Sequence, residues 1–172
     1  PDYSRNRILR QAYAALGWQV LDFHPGFSPL GDVEARFRRL PHADLLHVPC
    51  FRQRDIAAAH RYARRHGIPL LIDPLISAYD KQVFKRGKFS EGSVRAKKLL
   101  RAEQQLFQCA DHVLADTPEH ARFFSETLGV DPARLHVVYV GAEESLFTPG
   151  AAHAPNSPIE VLFYGSFISL QG

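Results

Sequence analysis

The chain has 172 residues, 45% of them apolar and 11% aromatic, and a net charge of +3. That is material for one full domain core and a fragment of a second, which argues against a disordered or fibrous polypeptide. The longest apolar runs are strand-sized, short of the ~20 residues that cross a bilayer; the composition reads as that of an ordinary soluble protein, and neither a signal peptide nor a lipidation motif appears in these residues.

Strand-like and helix-like segments alternate through short loops from the start. The apolar spacing Ile8, Leu9, Ala12, Leu16 predicts a helix from about Ser4 to Leu16 that ends at Gly17, a residue suited to a left-handed cap. The run Trp18 to Phe23 reads as a strand, followed by a turn-rich stretch from Pro25 to Pro29 and a short basic helix near Val33 to Leu40. Ala43 to Val48 reads as a strand, Phe51 to His66 as an amphipathic helix closed by Gly67, and Ile68 to Asp73 as another strand. A long loop from Pro74 to Asp80 then leads towards a helix from Ser93 to Cys109. The strand Asp111 to Ala115 precedes a helix that Thr117 caps and Pro118 opens, running to Leu128 and stopping at Gly129. Leu135 to Val140 is the next strand.

Beyond it, residues 150–158 hold little that could pack and read as an interdomain linker, and Ile159 to Tyr164 reads as the first strand of a second domain. Residues 1–149 are thus expected to be one domain and residues 159–172 the opening of another. No strand precedes the first helix, so the chain is expected to be a piece of a longer one, truncated at both ends. Alternating elements of this kind force parallel strands and right-handed crossovers, so the fold class is α/β, an open parallel sheet with helices on both faces.

Ligands of such sheets collect at the carboxyl ends of the strands, and the candidate residues are those just past each strand. Tyr3, Ser4 and Arg5 open the first helix, where free N–H groups and a guanidinium suit an anion; capping by Ser4 is the structural alternative. Asp73 ends a very apolar strand and shares a loop with Ser77, Asp80 and Lys81, a grouping suited to a sugar hydroxyl or a proton, although aspartate also simply caps loops. Thr117 is a candidate whose capping role explains it fully. Gly141, Glu143 and Glu144 lie where a second domain would dock, and Gly165 with Ser166 forms a glycine turn suited to a phosphate.

Cys50 and Cys109 lack metal-ligand spacing and read as reduced core residues, and the nine histidines are scattered, so no metal site is expected. Between Lys81 and Arg101 the cations Lys81, Lys85, Arg86, Lys88, Arg95, Lys97, Lys98 and Arg101 face the single acid Glu91. That run suits an anionic acceptor or acidic lipid head groups, with a solvated helix face as the bland alternative. No nucleic-acid motif accompanies it, so nucleic acid is not an expected partner.

Two ordered segments go further. His112-Val-Leu-Ala-Asp-Thr-Pro is followed by Leu128-Gly-Val-Asp-Pro-Ala-Arg-Leu-His-Val137, the turn at Gly141 and Phe147-Thr-Pro149; Val161-Leu-Phe-Tyr-Gly165 and Gln171-Gly172 then close the chain. This succession resembles the end of the N-terminal domain, and the start of the C-terminal domain, of GT-B glycosyltransferases of family 4. Gln171 stands where many members carry lysine, and Val140-Gly141 where Asn-Gly is usual.

The resemblance implies a Rossmann-like N-terminal domain and transfer of a sugar from a nucleotide diphosphate sugar to a carbohydrate or lipid-linked acceptor, with retention of configuration. No metal or other cofactor is implied. Gly165 and Ser166 would meet the donor phosphates, Asp73 would orient the acceptor, and the chain alone would be inactive. A cytoplasmic location is implied, with peripheral contact to anionic membrane through residues 81–101. A nucleotide-sugar epimerase of similar fold and a free-standing α/β binding module are the alternatives.

Overall fold

A computed structural model of the protein describes residues 3–144, 146–148 and 150. The expected linker from 151, the strand at 159–164, and Gly165 with Ser166 lie outside these residues.

Four parallel strands form one sheet in the order β1 (Leu46–Val48), β2 (Leu70–Ile72), β3 (His112–Ala115), β4 (Leu135–Val137). The register pairs Val48 with Ile72, Ile72 with Val113, and Val113 with Leu135. Six helices connect or flank the strands: α1 (Ser4–Ala15), α2 (Gly31–Phe37), α3 (Ile56–His66), α4 (Ala78–Asp80, continuing as a wide turn over Lys81–Lys85), α5 (Val94–Gln108) and α6 (Pro118–Glu126). This is the Rossmann-like α/β architecture that the alternation of elements implies.

Side chains alternate across a strand, and the two faces of the sheet are treated differently. On one face Val48, Leu70, Ile72, Val113 and Ala115 meet Ile56 and Ala63 of α3, Phe107 of α5 and Phe124 of α6 in one buried cluster. Phe107 and Phe124 touch edge to face with centroids 5.0 Å apart. The other face carries His47, Leu71 and Leu114, and α1 crosses it, with the Tyr13 ring edge-on to His47. Arg5 is the buried residue of α1, so this helix is held by a few polar anchors instead of an apolar stripe.

The helix signals act as expected. Gly17, Gly67 and Gly129 all adopt positive φ just past α1, α3 and α6. Ser93 accepts a hydrogen bond from the Ala96 amide, and Thr117 accepts one from the His120 amide behind Pro118. Two readings need correction. Residues 18–23 form no strand: Trp18 is 52% and Leu21 56% exposed, and among the described residues β1 pairs only with β2. An apolar run becomes a strand only when a neighbour takes its backbone groups; here Trp18 stacks on Tyr13, with centroids 5.5 Å apart. The stretch expected as a loop after Asp73 also winds into α4, because Ser77 caps it by accepting from the Asp80 amide.

Phe124 is fully buried at the centre of the main cluster, so Phe124→Ala is expected to lower the unfolding free energy by about 3–5 kcal/mol. Urea denaturation of the two proteins checks this; a loss under about 1 kcal/mol would mean that the cluster collapses around the gap.

Candidate active site

Every parallel strand ends on the same edge of the sheet, and the antiparallel run of α1 brings its first turn there. Tyr3 caps α1 by backbone alone, without a side-chain hydrogen bond, so Ser4 lies inside the first turn and is not the cap. Arg5 reaches across the edge. Its Nε donates to Asp73 Oδ2 at 2.7 Å and its Nη1 donates to the Val138 carbonyl at 2.7 Å. One guanidinium thus ties the ends of β2 and β4 to α1, across β3. The pair is enclosed, with Arg5 2% and Asp73 0% exposed. Arg5 Nη2 and Asp73 Oδ1 are buried without a hydrogen-bond partner in the structure, so each side chain of the pair keeps one uncommitted polar atom.

The groups around this pair are tuned by it. Burial pushes the Asp73 carboxyl above the usual carboxylate range, with Arg5 pulling it back and Asp116 adding to the rise. Cys50, just past β1, donates its thiol to Asn6 Oδ1 at 3.0 Å while its amide donates to the same oxygen at 3.2 Å. Burial and the Asp73 charge push that thiol up to about 11, so it stays protonated and unreactive. His47 is pulled down to about 4, first by burial and then by Arg5. Tyr13 sits 3.3 Å from His47 Nδ1, and its hydroxyl is raised by burial and by Asp73.

The loop after Asp73 is built on a residue that the loop itself does not reveal. Glu103 of α5 is 4% exposed and accepts from Ser77 Oγ at 2.6 Å, the Ala78 amide at 2.6 Å and the Tyr79 amide at 2.8 Å. Ser77 is therefore spent on its own turn, as cap and as donor to Glu103. The signal for Glu103 is in the sequence: it lies at helical spacing from Ala96, Leu99, Leu100 and Phe107, an acid on an otherwise apolar stripe. Asp80 and Lys81 follow on α4 and its extension and are half-buried.

The remaining candidates divide. Thr117 serves as the cap of α6, and Asp116 beside it is in ion-pair contact with His120. Glu143 is not an exposed glutamate but 7% exposed, gripped by Arg7 through Nε at 3.0 and 3.1 Å and Nη2 at 2.5 Å. Gly141 lies over α1, where a Cβ would meet Ile8 at 3.9 Å, and Glu144 is exposed. The edge thus joins Tyr3, Arg5, Asp73 and Glu143 through α1, whereas Ser77 and Thr117 are occupied locally. Among the described residues no group of three or more His, Cys, Asp or Glu is placed to hold a metal ion.

The sequence model of the glycosyl transferase 4-like domain matches residues 4–141, which hold the whole of the sheet with Arg5 and Asp73. The chain belongs to this family. It is also 32% identical, over 109 residues, to a D-inositol 3-phosphate glycosyltransferase from Thermomonospora curvata. That match covers 63% of this chain and 24% of the relative, so the chain spans about a quarter of the relative's length. In the glycosyl transferase 4-like domain described here, the matched region begins with the first turn of α1 and ends at the turn after β4.

Two measurements test the electrostatics. Removing one partner of an enclosed ion pair leaves an uncompensated charge, so Arg5→Met is expected to cost about 3–5 kcal/mol, and adding Asp73→Leu should recover much of it. Denaturation of the single and double variants decides; additive losses would deny the coupling. His47, with its folded pKa depressed to about 4, contributes stability that is present above its ordinary value of 6.5 and lost as pH falls towards 4. The loss is of order 3 kcal/mol at most, and His47→Gln should flatten the melting temperature between pH 6.5 and 4; an unchanged profile would sink the assignment.

Proposed function

We propose that the protein carrying this domain transfers a sugar from a nucleotide diphosphate sugar to a hydroxyl-bearing acceptor, and that the edge around Asp73 is its acceptor side. The observation that carries the reading is the Arg5–Asp73 pair, set where ligands of parallel sheets bind, with an unpaired donor and an unpaired acceptor. Family membership supports the transfer of a sugar, and the relative's name, which speaks of an inositol phosphate, supports a polyol or glycan acceptor.

In this reading Asp73, enclosed in the structure, orients the acceptor hydroxyl through Oδ1 when the edge opens to admit it, while Arg5 holds the carboxylate in place. The bond from the anomeric carbon to the diphosphate breaks, the acceptor oxygen bonds to that carbon on the same face, and the hydroxyl proton passes to the departing phosphate oxygen. Configuration is retained and no strong enzymic base or metal ion is needed. Charge on the leaving diphosphate is met by groups outside the described residues, Gly165 and Ser166 among them, so the chain alone is inactive. Lys85, Arg86, Lys88, Arg95, Lys97, Lys98 and Arg101 are all exposed, which suits peripheral contact with anionic membrane and a lipid-linked acceptor, at a cytoplasmic location.

The test is a thermal-shift screen of nucleotide diphosphate sugars on the intact protein, with this chain alone as control, followed by transfer assays. A shift confined to the intact protein is expected, and Asp73→Asn should lower transfer roughly 100-fold while leaving that shift in place. No shift with any donor, or an equal shift in both proteins, overturns the reading.

A further inference from the structure

Two residues on this edge adopt a backbone that bulky side chains avoid. Phe51 follows Cys50 at the end of β1 with φ 64°, and Leu75 follows Pro74 at the end of β2 with φ 60°. Their circumstances differ. Leu75 is 5% exposed, so packing holds its side chain in place. Phe51 is 40% exposed, and burial does not explain why a phenyl ring occupies its site.

The local geometry makes this sharper. The Arg52 amide donates to the Pro49 carbonyl at 3.3 Å, closing a turn in which Phe51 holds the third position with positive φ. That position favours glycine or asparagine. The turn is nonetheless fixed on both sides: Asn6 of α1 binds the amide and thiol of Cys50, and Gln53 Nε2 donates to the Pro74 carbonyl at 2.9 Å. The Tyr3 ring meets Phe51 edge to face, with centroids 5.0 Å apart, and is itself 37% exposed. An aromatic surface therefore stands on the first turn of α1 and the end of β1, on the same edge as Arg5 and Asp73.

We propose that Phe51, backed by Tyr3, is the platform against which the ring of the acceptor sugar packs, its apolar C–H face on the phenyl ring and its hydroxyls towards Asp73. Carbohydrate-sized ligands are commonly held in this way, by an apolar wall and a few placed polar groups, and aromatic rings supply area together with a fixed orientation. The inference rests on the transferase reading and adds to it the part of the edge that selects a ring with an apolar face. Strain retained at an exposed position is the mark of a residue kept for contact with a ligand.

Phe51→Gly separates binding from structure. It relieves the positive φ, so the melting temperature of the intact protein is expected to hold or rise by about 1–4 °C. The acceptor KM is expected to rise about 5- to 10-fold with the donor KM unchanged, and Phe51→Trp should stay within about 2-fold of the parent. A lower melting temperature with an unchanged acceptor KM overturns the proposal and makes Phe51 a packing residue; a change confined to the donor KM overturns it in favour of donor contact. Should the parent protein transfer no sugar, the transferase reading fails on its own. The platform is then judged by saturation-transfer NMR with methyl glycoside probes, where signal lost in Phe51→Gly supports it and signal retained sinks it.

Discussion

A single guanidinium organises this domain. Arg5 is enclosed at the sheet edge, where it neutralises Asp73 and donates to the carbonyl after β4. An enclosed ion pair gains little net stability over apolar groups of the same shape, but a broken one is costly. Its consequence here is positional. It fixes the first turn of α1 over the strand ends, on a face of the sheet where α1 has few apolar contacts to set its place.

The pair also sets the chemistry of its neighbours. Burial first, and the Arg5 and Asp73 charges second, lower the His47 pKa and raise those of the Cys50 thiol and the Tyr13 hydroxyl. These groups serve as hydrogen-bonding and packing parts and not as nucleophiles. Asp73 Oδ1 and Arg5 Nη2 stay buried without a hydrogen-bond partner, on the same edge of the sheet as the exposed rings of Phe51 and Tyr3. The second buried carboxylate, Glu103, acts differently: all three of its contacts go to the turn that follows Asp73, so it shapes the edge from behind.

Much of the fold is legible in the residue order. The helix ends at Gly17, Gly67 and Gly129, the caps at Ser93 and Thr117, and the strands that hold Val48, Ile72, Val113 and Leu135 all follow from local rules. The run Trp18 to Phe23 shows where such rules stop, because strand-forming residues become a strand only if another strand supplies the ladder. Of the candidate site, Asp73, Arg5 and Tyr3 are legible as residues at strand ends or helix starts. Their partnership is not, since Arg5 and Asp73 are separated by 68 positions. Ser77 and Thr117 show the converse: a polar residue beside a strand end was readable, but its commitment to a cap or to Glu103 was not.

The sequence by itself determined the α/β class and the parallel order of elements, because periodicity, turn residues and caps act over a few positions, and its ordered motifs carried the resemblance to the family that the sequence model matches. The tertiary structure alone decided which charges meet: that Arg5 spans two strand ends, that Glu143 is taken by Arg7, and that Glu103 is turned inward. It also decided that Phe51 stands exposed in a backbone conformation suited to glycine. Those are contacts between residues far apart in the chain. They depend on how the helices seat on the sheet and on which groups lose water when they do.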